Sequence, residues 1–222
     1  MSHSWKPIEY RFILLGDSSV GKTSIFSRLS GKAFSQQTIS SVGTEKVVIN
    51  FDDVQIDEKV CQNFKIVLFD TAGQDRYRSI AKSYFRDAQG IILIYSIIDR
   101  QSYDHIQTWL DSIKEALSDW KSSGYMVMLL GNKLDCIEEG KTREISTEEA
   151  QKMCSDQGIY WGGECSAKTF DENQIKEIFS KFTKHVYLKL RNDVNYKNGK
   201  KDSQKLSHDK SKSEKVNKPC CK

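Results

Sequence analysis

The chain has 222 residues, 38% hydrophobic and 29% charged, which suits one soluble domain with an appendage, or at most two small domains. Two prolines argue against a proline-rich linker, and a net charge of +4 is too small to imply nucleic acid as a partner. The charge is uneven: residues 191–222 hold ten basic and four acidic residues, so a tail of +6 follows a body of 24 basic and 26 acidic residues.

In chain order, the opening MSHSWKPIEY has no apolar signal core, and Ser2 stands where N-myristoylation needs glycine. The longest apolar run, Ile91–Ile98, is far too short to span a bilayer. Both points predict synthesis and folding in the cytosol. Strands are predicted at Arg11–Leu15, Lys46–Phe51, Phe64–Phe69, Ile91–Tyr95 and Val127–Leu130, several of them apolar throughout, as strands buried on both faces are. Helical spacing joins Ile106, Trp109, Leu110, Ile113, Ala116, Leu117 and Trp120, and again Ile175, Ile178, Phe179, Phe182, Val186 and Leu190. Strand–helix alternation of this kind predicts an α/β fold around a mostly parallel central sheet flanked by helices. Cys61, Cys136, Cys154 and Cys165 show no CxxC spacing, so neither a zinc site nor a disulfide framework is indicated. From about Asp193 the apolar pattern stops, and residues 191–222 read as a flexible basic tether spanning about 30 Å as a coil.

Three motifs carry chemistry. Gly16-Asp17-Ser18-Ser19-Val20-Gly21-Lys22-Thr23 fits GxxxxGK[ST] between a predicted strand and a helical stretch. Its glycines let successive N–H groups wrap a phosphate chain, so Gly16, Ser18, Ser19, Val20, Gly21, Lys22, Thr23 and Ser24 are the candidate phosphate-binding run. Lys22 would reach the β- and γ-phosphates, and the Thr23 hydroxyl would ligate Mg²⁺. Asp70-Thr71-Ala72-Gly73-Gln74 follows a strand: Asp70 is placed for the metal's water shell, Gly73 for a backbone N–H to the γ-phosphate, Gln74 to orient an attacking water. Alone that string would be a solvated turn; beside a phosphate loop the balance reverses. Asn132-Lys133-Leu134-Asp135 follows the fifth strand. A carboxylate such as Asp135 accepts from guanine N1–H and the 2-amino group, donors adenine lacks, and a site built on such donors rejects the analogue by roughly 10⁴–10⁵. Asn132 can tie neighbouring loops and the Lys133 stem can cover the base. Backbone N–H groups of Ser166, Ala167 and Lys168 can meet the guanine carbonyl, and Phe34 can pack on the base, although each of these is weak alone.

With these motifs in order, the chain from about Tyr10 to Leu190 resembles the Ras superfamily of small GTPases and, within it, the Rab family. GDSSVGKTS, KIVLFDTAGQDRYRSI and SYFRDA (Ser83–Ala88) carry the resemblance, with a terminal Cys220-Cys221-Lys222. Pro219 occupies the position a C-a-a-X signal would need for cysteine, and the double cysteine looks like the Rab pattern for two geranylgeranyl groups. The resemblance implies a P-loop small-GTPase fold over residues 8–190, preceded by an extension at 1–7 and followed by the tail. It implies bound GTP or GDP with Mg²⁺ held by Thr23, Ser41 and Asp70, and catalysis of GTP hydrolysis by Gln74 and Lys22. It also implies an exchange factor, an activating protein, an escort protein, a GDP-dissociation inhibitor and effectors, for a monomer cycling between cytosol and the cytoplasmic face of an intracellular membrane. A scaffold with almost no turnover and a P-loop ATP-dependent kinase are the rival readings; Gln74 speaks against the first and Asp135 against the second.

Departures from the family pattern fall mainly outside the nucleotide motifs. Ser41 replaces a usual threonine, keeping the hydroxyl and losing a methyl. Lys46 stands where Rabs usually have Phe and Phe69 where they usually have Trp; with Tyr84 these correspond to the aromatic triad of the effector surface. The segment Asp52–Gln62 reads as a turn several residues longer than usual, and Trp161-Gly162-Gly163 is odd for a strand.

Overall fold

The five runs predicted as strands are strands, each longer than its sequence signal, and a sixth precedes the Ser166–Lys168 segment. In this computed structural model residues 6–35, 45–58, 60–70, 85, 87–117 and 124–192 are described. The elements are β1 (Ile8–Leu15), α1 (Lys22–Leu29), β2 (Glu45–Gln55), β3 (Cys61–Asp70), β4 (Gly90–Ser96), α2 (Arg100–Ala116), β5 (Met126–Asn132), α3 (Asp135–Glu138), α4 (Thr147–Gln157), β6 (Tyr160–Glu164) and α5 (Glu172–Asn192). The sheet order is β2-β3-β1-β4-β5-β6, with β2 antiparallel to β3 and every other pairing parallel. β1 therefore lies between β3 and β4, where strand order reverses, and α/β sheets bind ligands outside the carboxyl ends of strands at such a point.

Strand alternation divides the interior into two cores. Tyr10, Phe12 and Leu14 of β1 point to one face, with Ile25, Phe26 and Leu29 of α1 and Ile175, Phe179, Phe182 and Val186 of α5. Ile13 and Leu15 point to the other, with Ile106, Trp109, Leu110 and Ile113 of α2 and Ala150 and Cys154 of α4. Every residue of β4 is buried, which explains its uninterrupted apolar sequence. Each large side chain so buried contributes about 1.5–3 kcal/mol. α2 starts at Asp99, whose carboxylate accepts from Gln101 N and Ser102 N. The apolar periodicity of α4 is weak, but its start and stop signals are present. Ser146 Oγ accepts from Glu149 N at 3.1 Å, and Gly158 closes the helix at φ 66°.

Two expectations are revised. Most of Asp52–Gln62 is not turn but strand: β2 runs to Gln55 and β3 starts at Cys61, so the insertion lengthens a hairpin. A register shift between Phe51 and Val54 accommodates Asp53 at φ 51°, and Asn63 Oδ1 accepts its N–H at 2.8 Å. The buried Ile56 pins the hairpin end. Its many polar residues hid the strand because this part of the sheet faces water. The glycines of β6 do not dissolve the strand either. They form a bulge against β5, where the register shifts between Leu129 and Gly131. Gly163 has φ 89°, and a Cβ on Gly162 would stand 2.7 Å from Met128 Sδ and 3.1 Å from Leu129 O. The bulge directs Glu164 to Arg143, which donates to its two oxygens at 2.7 and 2.9 Å, and to Thr147 Oγ1 at 3.0 Å.

β6 meets α5 through Tyr160, whose ring centroid lies 4.7 Å from that of the half-buried His185. Burial pushes the His185 imidazole below its ordinary value, and the charge of Lys189 adds to this. The unfolded chain therefore binds a proton at higher pH than the folded chain does. Stability should be intact above the ordinary imidazole value of about 6.5 and should fall as pH drops through it toward the depressed one. Urea midpoints between about pH 7.5 and 5.5 check this, and His185→Gln should flatten the slope; an equal slope in the variant would assign it to another group.

Candidate functional site

The loop after β1 is built around a buried ammonium. Lys22 is 4% exposed and its Nζ donates to Gly16 O at 2.8 Å and to Asp17 O. A buried cation needs such partners, because stripping it of water is otherwise costly. The turn tolerates only glycine at two points. A Cβ on Gly16 (φ 135°) would fall 2.1 Å from Ile94 O, and one on Gly21 (φ 101°) would fall 2.2 Å from Asn132 Nδ2. Ser19 also takes a left-handed backbone, φ 63°. Ser18 and Ser19 are exposed, Val20 is buried, and α1 opens at Lys22 with Thr23 and Ser24 in its first turn.

Asp70 closes β3 and is 1% exposed. Thr23 Oγ1 donates to its Oδ2 at 2.8 Å, across the gap between α1 and β3. The two oxygens converge beside the loop that carries Lys22. This is a hard, all-oxygen donor pair, the type that suits Mg²⁺.

A second cluster gathers at the ends of β5 and β6. Asn132, 2% exposed, donates from Nδ2 to Val20 O at 2.8 Å and accepts at Oδ1 from Ala167 N at 3.0 Å. The amide thus joins the phosphate loop to the Ser166–Lys168 loop, the tying role expected of it. Leu134 N donates to Cys165 O at 3.0 Å and ties the segment after β5 to the end of β6. Burial raises the Cys165 thiol well above its ordinary value, with Glu164 and Asp135 adding to the shift. Asp135, 7% exposed, accepts at Oδ1 from Ser166 Oγ at 2.6 Å. Ser166 Oγ in turn accepts from Lys168 N at 3.2 Å and Thr169 N at 3.0 Å. The Lys168 ammonium pairs with Glu139, a hydrogen bond that raises it above its usual value. Lys133 stands at φ 74°, a strained backbone for a non-glycine residue and one common at binding sites. Phe34 is half-buried. Ser41, Gly73, Gln74, Tyr84, Cys220 and Cys221 lie outside the described residues.

The sequence of the Ras family matches residues 11–188. Human Ras-related protein Rab-8B is 34% identical over 189 residues, 85% of this chain and 84% of that protein. Rab-13 of Canis lupus familiaris is 37% identical over 180 residues, 81% of each chain. Human Rab-44 is 39% identical over 158 residues, 71% of this chain but 14% of Rab-44.

The chain belongs to the Ras family and is a Rab-type small GTPase.

It is therefore a GTP-binding and GTP-hydrolysing switch in membrane trafficking, and neither the inert scaffold nor the ATP-dependent kinase is favoured. Ras-family GTPases bind GTP or GDP, typically with Mg²⁺, and Rabs work with regulators and effectors at intracellular membranes. Among the described residues, no helix is long and apolar enough to cross a membrane.

Sequence reasoning missed one residue of this Rab site. Arg28, in α1, donates from Nε to Ala167 O at 2.9 Å and from Nη2 to Lys168 O at 2.6 Å. It fixes the loop whose opposite, N–H side faces the Asn132 amide. The planar guanidinium fork matches two successive carbonyls, and no signal local to α1 announces a partner 139 positions away. Arg28→Ala should speed GDP release about tenfold, since two charge-assisted hydrogen bonds are lost. Arg28→Lys should recover only part of that. A fluorescent-GDP chase reads both, and parental release from Arg28→Ala would remove the residue from the site.

Proposed function

We propose that the carboxyl edge of the sheet holds GTP with its phosphates over Gly16–Ser24 and its guanine between Lys133, Phe34 and the Ser166–Lys168 loop, and that this chain is a membrane-anchored Rab switch. The observation that carries the reading is the Thr23–Asp70 oxygen pair at 2.8 Å beside the buried Lys22. Thr23 and Asp70, with Ser41, would hold Mg²⁺, which when bound neutralises charge on the β- and γ-phosphates. Lys22 reaches the phosphates while its ammonium keeps the loop carbonyls of Gly16 and Asp17. Gln74 orients the attacking water, and Ser41 and Gly73 hold the two switch segments through contacts to the γ-phosphate, so that its loss releases them. No arginine is among the residues assigned to the phosphates, so turnover is slow until an activating protein supplies that charge. Asp135 reads guanine N1–H and the 2-amino group; Ser166 Oγ aims its carboxylate.

The tail supplies the membrane arm. Helix α5 carries the GTPase domain to Asn192, two residues past the expected boundary, so the basic tether starts at Asp193. One lipid chain gives only marginal attachment, so geranylgeranyl groups on both Cys220 and Cys221 make it stable, with about 1 kcal/mol from each lysine close to an anionic surface. An escort protein presents the chain for prenylation, a GDP-dissociation inhibitor maintains a cytosolic pool, and an exchange factor loads GTP at the cytoplasmic face. The protein acts as a monomer and binds no nucleic acid.

Two tests follow. Single-turnover phosphate release should be rapid from GTP but not ATP in the parent under an activating protein, and strongly slowed by Gln74→Leu with GTP affinity retained. Asp135→Asn should lose GTP affinity and gain xanthosine triphosphate, whose 2-oxo group accepts from the new amide; GTP binding equal to the parent's would end the base-reading role.

A further test concerns effectors. Lys46 pairs with Phe69 across β2 and β3, and the Arg11 guanidinium lies 5.2 Å from the Phe69 ring centroid on the other side. Val48, 49% exposed, continues the strip. An apolar ridge between two cations favours a partner that sets Asp or Glu against Lys46, because an unpaired buried ammonium is costly. Lys46→Glu should lower binding of GTP-selected partners by tenfold or so, with nucleotide exchange unchanged. Indifference to both Lys46→Glu and Lys46→Phe would leave Lys46 a solvated side chain.

A further inference from the structure

The phosphate loop contains an acid. Asp17 is the first residue after Gly16, in a stretch whose N–H groups are read above as a cradle for anionic phosphates. A carboxylate free to turn into that cradle would repel the ligand. In the structure it is turned away and held. Its Oδ1 accepts from Trp109 Nε1 at 2.9 Å, and its Oδ2 lies 2.5 Å from His105 Nδ1. The two donors are one helical turn apart on the same side of α2. The carboxylate keeps only 17% of its surface. The carbonyl of the same residue accepts from Lys22 Nζ. Asp17 thus connects α2, through its side chain, to the ammonium of the phosphate loop, through its peptide.

We infer that His105 and Trp109 are positioning residues for the phosphate loop: they draw the Asp17 carboxylate out of the cradle and set its carbonyl on Lys22, so that nucleotide retention depends on α2. The inference rests on the phosphate-site reading above. Trp109 is 6% exposed within the second core, so truncating it would disturb packing as well. His105 keeps 38% of its side-chain surface exposed, so its removal reports on the clasp itself.

The test is a cycle of release rates for Mg²⁺-bound fluorescent GDP, measured by chase with excess GDP on the full-length protein. His105→Ala should speed release about tenfold, the scale of a lost hydrogen bond to a charged group. His105→Asn, which keeps a donor of similar reach, should restore most of the retention. In an Asp17→Ala background, His105→Ala should change release less than twofold, because no carboxylate is left to restrain. Melting temperatures of the four proteins are recorded alongside. Trp109→Phe, which keeps an aromatic ring and loses the N–H, should speed release severalfold with Asp17 present and not without it. Release unchanged in His105→Ala, or a His105→Ala effect of equal size with and without Asp17, would overturn the inference. A parent protein that fails to retain GDP at all would instead overturn the phosphate-site reading.

Discussion

One carboxamide makes the site a single unit. Asn132 sits at the end of β5, with β4 between it and β1, and it binds Val20 of one loop and Ala167 of another. It is the side chain that joins the two loops directly, from Val20 of one to Ala167 of the other. The amide is 2% exposed, and leaving either of its ends unpaired there would cost about 1–3 kcal/mol. The same group explains Gly21, whose missing Cβ leaves the space occupied by Asn132 Nδ2. A glycine in the first motif and an asparagine in the third are therefore one constraint, stated twice in the sequence. Arg28 acts in parallel, so the distance from the loop after β1 to the Ser166–Lys168 loop is fixed by several bonds rather than by loop stiffness.

The motifs were legible because each is local. GDSSVGKT, DTAGQ and NKLD each follow a strand, and the structure places Lys22, Asp70 and Asp135 as buried charges at strand ends on one edge of the sheet. Apolar runs located β4 and β5 because these strands are covered on both faces. Legibility failed in two ways. Where elements meet water, the pattern weakens: the β2–β3 hairpin read as a turn, and α4 was missed although Ser146 and Glu149 form a recognisable cap. Where a side chain acts across the chain, no window contains both partners. Asp17 is 88 residues from His105 and 92 from Trp109, and Arg28 is 139 from Ala167. The spacing of Trp109 marks a helix face and the residue is core, yet its N–H also bonds Asp17 in the loop after β1.

The buried charges also tie folding to ligand. Lys22 and Asp70 are each almost fully buried, and desolvation of that kind is offset by hydrogen bonds to loop carbonyls and to Thr23. On the proposed reading a phosphate chain with its metal would add partners of opposite charge to both. Any ligand that binds the native state alone stabilises it by mass action. On the proposed reading the nucleotide is in this sense a structural component of the carboxyl end of β1 as well as a signal.

The two ends of the sheet then divide the labour. At the nucleotide edge, Gly16, Gly21 and Asn132 are locked by contacts of a few ångströms, so almost any replacement is felt at once. On β2 the alternation separates the obligations of each residue: Ile49 and Phe51 enter the first core, while Lys46, Val48 and Asn50 are exposed. The outward residues can change without disturbing either core, because strand period, not packing, keeps the two sets apart. The departures from the family pattern at Lys46 and in the lengthened hairpin lie where that freedom is greatest. Phe69 is different, being half-buried and packed against the second core while its ring meets Arg11. A change there touches the core and the outer face together. That leaves Lys46, with Val48 and Asn50, at positions where the outer face can change with little structural consequence.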